Sequence, residues 1–331
     1  MIVVTYKLHY VLVRENVFKV AEDGAAVMLS DLLARKQAVY EVGGVRLGGR
    51  PGELPTVLCG SMFYHKHRIV RDHRKGLFDR EEAERLIKVQ EEWSDRTGIP
   101  CMVDVVGETG EALSKYLDFV ASVTDSPMLL NGTTAQARLE AARYASEVGL
   151  LDRVVYTSVN YTVTDAELMG LRELGVKCAI VQTFNPRDPR PQGALKLLLD
   201  EGGLLGAVKG AGVEKVLLMP TVLDVPGVGL AVDTLRLLKA ELGLPSGIAP
   251  CGVVGYWRRT KELGRRFKWM GFASAMAAAQ LAGADFIIYG SIRKAPEAFP
   301  VCALVDVMIA YAARFYGVRP LTKRHPIYVF A

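Results

Sequence analysis

Short apolar runs alternate along the chain with longer stretches whose apolar residues return every three or four positions. The runs are TVLCGS (56–61), CMVDVV (101–106), PMLLNG (127–132), RVVYTSV (153–159), CAIVQTF (178–184), KVLLMPT (215–221), SGIAP (246–250) and FIIYG (286–290). They lack the strict apolar–polar alternation of a half-exposed strand, as expected of parallel strands covered on both faces. The stretches between them carry helix start signals. DREEAERLIKVQEEW opens on Asp79 with acids in its first turn, and TDAELMGLREL opens on Thr164 with Glu167 at the capping-box position. Eight such units in roughly 260 residues predict an α/β fold of the (β/α)8 TIM-barrel type. A doubly wound open sheet is the alternative, but no G-x-G-x-x-G follows the first run. Ahead of the units, AVYEVGGVRLGG (38–49) reads as a hairpin. The chain therefore divides into a short N-terminal β extension that caps the barrel (1–50) and the barrel itself (51–331).

Composition narrows the picture. A chain of 331 residues can bury a large core, and its formal charge of +5 is mild. That charge gives no reason to expect nucleic acid, and it leaves room for an anionic ligand or an acidic partner. The five cysteines are odd in number and show no C-x-x-C, which fits a reduced, cytoplasmic protein with buried thiols. The apolar start, MIVVTYKLHYVLVRENVFKV, carries charges and no small-residue cleavage site, so no signal peptide is expected. No uninterrupted apolar run reaches the roughly 18 residues of a membrane span.

In a barrel the chemistry sits at the carboxyl ends of the strands. The polar residues there are Asp104 and Glu108, Asn131 and Thr133, Thr157 to Asn160, Asn185 and Asp188, Thr221 and Asp224, and Tyr289 and Ser291. They offer hydrogen bonds more than nucleophiles. His65 and His67, in FYHKHRIV, suggest a metal pair, but His9, His73 and His325 are not near later strand ends and no metal site is expected. Lys177 and Lys215 sit at strand starts, away from a Schiff-base position, and no G-x-S-x-G is present. The glycines of VPGVGLAV could open a helix toward the mouth or merely make a turn. WRRTKELGRRFKW (257–269), with six basic residues, is a solvated helix face or a dock for an acidic partner. The small residues of WMGFASAMAAAQLAGA (269–284) suit close helix packing.

Five stretches carry a family resemblance: VRLGGRPGELPTVLCGSMFY, HRIVRD with KGLFDREEAERLI, YASEVGLLDRVVYTSVN, FNPRDP and LDVPGVGLAV. In order and spacing they resemble the H-subunit family of tetrahydromethanopterin S-methyltransferase, and FYHKHRIV is similar to that family's F-Y-x-x-H-x-I-V signature. The resemblance implies a methyltransferase that moves a methyl group between a corrinoid protein, which supplies the cobamide, and N5 of a tetrahydropterin (tetrahydromethanopterin or tetrahydrofolate). It implies Asn131, Asn160 and Asp224 as catalytic residues, and a pterin site that includes Asp104, Glu108, Asn131, Thr157, Asn160, Asn185 and Asp188. It also implies a homodimer and association with a larger methyltransferase complex. The chain departs from the family pattern at Asn131, where the relatives have Asp, at Thr157 for Asn, Met219 for Asp and Gly252 for Asn. An alternative reading is therefore a non-catalytic or altered-substrate paralogue that docks a corrinoid protein without ordinary pterin binding.

Overall fold

The computed structural model describes residues 9–13, 16–20 and 29–331. Much of the apolar start considered above as a signal sequence lies outside these residues. His9–Val13 and Asn16–Val20 form an antiparallel pair.

Eight parallel strands follow, and we number them β1 to β8. They are Val57–Met62, Cys101–Gly107, Met128–Gly132, Val154–Val159, Cys178–Gln182, Lys215–Met219, Gly247–Ile248 and Phe286–Ser291. Their order in the sheet is β6-β5-β4-β3-β2-β1-β8-β7. A parallel bridge between Leu218 and Ser246 joins the two outer strands, so the sheet closes into a barrel. The structure thus has the (β/α)8 topology.

The helices that pack outside are α1 (Arg80–Thr97), α2 (Gly110–Val123), α3 (Ala135–Glu147), α4 (Asp165–Leu174), α5 (Pro191–Leu199) and α6 (Leu204–Gly210). They continue with α7 (Gly227–Leu242), α8 (Cys251–Tyr256), α9 (Arg258–Leu281) and α10 (Ala295–Ala313). Both helix starts read from the sequence are capped: the Asp79 side chain accepts from Glu82 N–H and that of Thr164 from Glu167 N–H. The second half of the expected capping box is absent. Glu167 does not reach back to Thr164. Its carboxylate is buried and accepts from Arg138 Nη2 at 2.7 Å and Tyr156 Oη at 2.6 Å, tying β4 and α3 to α4. A buried guanidinium and phenol compete for that carboxylate more strongly than one backbone amide.

Strand alternation divides the core in two. Residues pointing outward pack against the helices, and those pointing inward fill the barrel: Val57 and Cys59, Met102, Leu129, Val155, Cys178 and Ile180, Leu217 and Met219, Phe286 and Ile288. The inner cluster also takes in Val42 and Leu47 from the hairpin Val39–Val42 and Val45–Gly48. Gly43 and Gly44 turn that hairpin with φ of +50° and +81°, the left-handed values of a two-residue hairpin loop. Gly43 N–H bonds to Asp152 O ahead of β4, and Lys215 Nζ at the start of β6 bonds to Glu41 O. The hairpin lies across the amino ends of the strands, leaving the carboxyl ends as the open mouth.

Two buried carboxylates hold the seams. Lys239, on α7, donates to both oxygens of Asp285 at 2.7 Å, and Ser246 N–H donates to Asp285 Oδ2 beside the closing bridge. Asp306, on α10, accepts from the backbone and hydroxyl of Thr56 and from Gln280 Nε2. By length and hydropathy, residues 292–316 pass as a candidate membrane span, but half of their most apolar stretch is buried in the protein, and Asp306 binds the helix to Thr56, just ahead of β1. All five cysteines are free and buried. On α9, Phe272, Ala275, Met276 and Ala279 pack into the outer core, so the small-residue stretch serves the barrel itself.

Candidate functional site

Toward the carboxyl ends the inward positions change character. Above Cys59, Met102, Leu129, Val155 and Ile180 come Ser61, Asp104, Asn131, Thr157 and Gln182, so the apolar plug gives way to a polar row across five adjacent strands. Ser61 Oγ donates to Asp104 Oδ2 at 2.6 Å, and Asn131 Nδ2 donates to Asp104 Oδ1 at 2.9 Å. Asp104 is 2% exposed, and burial raises its pKa while the two donors pull it back. The consequence falls on Asn131. Because its amide nitrogen is held by the carboxylate, its half-buried carbonyl oxygen is left as a fixed acceptor at the mouth. Ser61 and Gln182 are absent from the residues to which the sequence points. Strand parity counted upward from Cys59 and Ile180 is the signal that finds them.

The neighbouring strand ends divide by what their side chains have left to offer. Asn160 is half-buried, and its Oδ1 accepts from Thr162 N–H at 2.8 Å and Thr162 Oγ at 2.7 Å. Its amide N–H groups have no partner among the described residues. Thr157 is buried and donates to Val155 O. Asn185 uses both ends locally, donating to Gly193 O in the first turn of α5 and accepting from Arg187 N–H in its own loop. Asp188 pairs with Arg190, which holds its carboxyl below the usual range. Asp224 is exposed and accepts from Gly227 N–H at 2.7 Å, so it caps the helix that VPGVGLAV opens. Thr183, Asn185, Thr221 and Asp224 share a cavity of about 180 Å³ over β5 and β6, and the Thr183 and Thr221 hydroxyls have no partner among the described residues.

Tyr289 does not belong to the mouth. It alternates with inward Ile288, so its ring lies in the outer core and its hydroxyl donates to Gln90 Oε1 at 2.5 Å. The Ser291 hydroxyl is buried without a partner among the described residues.

The two histidines of FYHKHRIV are committed separately. His65 Nδ1 lies 2.9 Å from Glu108 Oε1, and His67 Nδ1 accepts from Phe63 N–H at 3.0 Å. Burial, with Arg293 nearby, lowers the pKa of His67 to about 4, so at neutral pH its ring is uncharged with the proton on Nε2. Among the described residues no three His, Cys, Asp or Glu side chains gather as a metal site.

Comparison with known proteins gives the family and agrees with the fold. Residues 35–321 match the profile of the tetrahydromethanopterin S-methyltransferase MtrH subunit. The H-subunit of tetrahydromethanopterin S-methyltransferase from Methanothermobacter thermautotrophicus is 40% identical over 303 residues, covering 89% of this chain and 97% of the relative. That of Methanopyrus kandleri is 40% identical over 313 residues, covering 88% and 97%. The H-subunit of the putative methyltransferase mtx from Methanosarcina mazei is 38% identical over 302 residues, covering 88% and 97%. Among solved structures, Yersinia pestis dihydropteroate synthase with a pterine-sulfa conjugate superposes with a TM-score of 0.59 at 12% identity, covering 82% of this chain and 99% of that one. The Xanthomonas albilineans enzyme in complex with 7,8-dihydropteroate gives 0.54 at 16%, covering 82% and 98%. At those identities the likeness is one of fold. The sequence matches carry the assignment: the chain belongs to the MtrH family of tetrahydromethanopterin S-methyltransferase subunits, and is a methyltransferase.

Proposed function

We propose that the protein transfers a methyl group between a cobamide carried by a separate corrinoid protein and N5 of a tetrahydropterin, with tetrahydromethanopterin the first candidate and tetrahydrofolate the second. The observation that carries this reading is the hydrogen-bonded row Ser61–Asp104–Asn131 facing the open mouth. The family pattern has a carboxylate at position 131, and here the neighbouring strand provides one directly beneath the amide. The row therefore keeps an acceptor for the amino edge of a pterin ring, its orientation set by a buried charge.

The remaining residues divide the work. Asn131 and Gln182 meet the ring edge. Asn160, whose oxygen is spent on Thr162, turns its amide hydrogens to the ring nitrogen that loses or gains the methyl group. A donor there stabilises the electron pair left on N5 as the carbon departs. Thr183, Thr221 and Asp224 line the opposite rim. Asn185 and Asp188 act by holding the β5–α5 loop. The cobalt centre supplies the second methyl-carrying atom, so positioning is most of what the barrel contributes. The exposed Lys261, Arg265 and Arg266 at the start of α9 suit an acidic corrinoid protein, and a homodimer within a larger methyltransferase complex fits the family.

The test is a spectroscopic assay with reduced cobalamin and methyl-tetrahydromethanopterin or methyl-tetrahydrofolate. Formation of methylcobalamin in proportion to protein is the expected result. Binding of a corrinoid protein with no measurable pterin affinity would instead establish a docking subunit without catalysis.

A further inference from the structure

On the β8–β1 side of the mouth lies a cavity of about 600 Å³, lined by Tyr64 to Arg68 of the loop after β1, Tyr256 and Arg293. The signature stretch after β1 builds one wall, Arg293 follows β8, and Tyr256 ends α8. Three formal cations line it, and no acidic side chain does. The nearest carboxylates are already engaged: Glu108 with His65, and Glu82 with Arg85 at 2.6 Å and with Arg293 at 3.6 Å. Lys66 and Arg68 are exposed, with no ion pair among the described residues.

His67 is the second, independent observation. It is 2% exposed, its Nδ1 accepts from Phe63 N–H, and its Nε2 is buried with no partner among the described residues. Buried N–H groups in folded proteins are nearly always paired, so a side chain held this way points to a missing acceptor. Phe63 and Lys66 both have left-handed φ, +62° and +64°, which non-glycine residues adopt only under constraint from their surroundings. These turns bring the His67 ring, Lys66 and Arg68 onto one side of a short loop.

We infer that this cavity binds a phosphate-type oxyanion, with Arg68, Arg293 and Lys66 supplying charge and His67 Nε2–H the oriented donor. Guanidinium groups match the paired oxygens of a phosphate, and a neutral imidazole donor adds direction without further charge to desolvate. The site opens at the mouth, so the inference rests on the methyl-transfer reading for its choice of source. Either a phosphodiester on the tail of the pterin carrier or the phosphodiester of the corrinoid nucleotide loop carries this chemistry. Both would be anchored on the β8–β1 side while the reacting ring sits over β3 and β4.

The first experiment needs neither substrate. Inorganic phosphate is titrated into the full-length protein while the ring nitrogen resonances of His67 are followed by NMR. Saturable binding is expected, weakened about tenfold in Arg68→Gln and in Arg293→Gln, the loss of one charge-assisted contact. The exposed Arg68 side chain has no hydrogen bond or ion pair among the described residues, so its variant reports on binding with the fold undisturbed. No saturable binding, or binding equal in the wild type and both variants, overturns the inference. The source is then separated by two comparisons: a tetrahydropterin with a phosphodiester tail against one truncated before it, and methylcobalamin against methylcobinamide, which lacks the nucleotide. Arg68→Gln should raise the KM only for the member that carries the phosphate. If truncated pterin and cobinamide react while phosphate fails to bind, the anion site is wrong and the methyltransferase reading stands. If phosphate binds and no methyl moves, the reverse holds.

Discussion

Replacing Asp104 with Asn should move pterin binding and fold stability in different directions. In the native protein Ser61 and Asn131 both donate to this carboxylate, at 2.6 Å and 2.9 Å. Hydrogen bonds to a charged group contribute about 1.5–3 kcal/mol each and neutral ones about 0.5–1.5. Asp104→Asn therefore gives up roughly 1–2 kcal/mol at each contact. Against this, burial already penalises the charged form of Asp104, and the neutral amide removes a desolvation cost of several kcal/mol. The fold should be unchanged or slightly more stable. Binding depends on something else. The introduced amide presents both a donor and an acceptor to Asn131, so the carbonyl of Asn131 is no longer fixed toward the mouth. Losing one oriented acceptor for the pterin edge should weaken affinity by about 1–2 kcal/mol, or roughly five- to thirtyfold. Calorimetry with tetrahydromethanopterin and thermal denaturation, run on the same preparations, measure the two effects. Affinity within twofold of wild type would refute the role given to Asp104. A large fall in melting temperature would refute the energetic argument behind it.

Three further outcomes are expected. Burial raises the pKa of Asp306 from 3.8 to about 6, so between those values the folded chain keeps a proton that the unfolded chain has lost. Stability should thus fall by about 2 kcal/mol as pH rises from 4 to 6, and by about 3 kcal/mol across the whole titration, and urea titrations of Asp306→Asn should lack that slope. Lys239→Met leaves Asp285 buried without its cation and should cost about 3–5 kcal/mol in the same titrations; a cost under 1 kcal/mol would count against the ion pair as a seam of the barrel. Asn160→Asp keeps the two bonds accepted from Thr162 but removes the amide donor, so kcat for methyl transfer should drop about tenfold or more with the melting curve unchanged. Wild-type turnover would remove Asn160 from the reaction.

The sequence alone determined the eight-unit barrel, the hairpin ahead of it and the caps at Asp79 and Thr164. These follow from short-range physics: strands covered on both faces must be apolar throughout, and a helix start needs a side-chain acceptor within three residues. It also located the rim, since strand ends are legible, and with it Asp104, Asn131 and Asn160. What it left open was direction. In a run that is apolar on both faces nothing in the pattern distinguishes inward from outward, so Tyr289 reads as a mouth residue while Ser61 and Gln182 pass unnoticed. Glu167 and Lys239 look like surface charges on helices, and only the packing of α3 on α4 and of α7 on the closing strands buries them. The partnership of Asp104 with Ser61 and Asn131 spans separations of 43 and 27 residues. Those contacts are fixed by the register at which neighbouring strands pair, and that register is set when the sheet closes on itself, which no local stretch of sequence can specify.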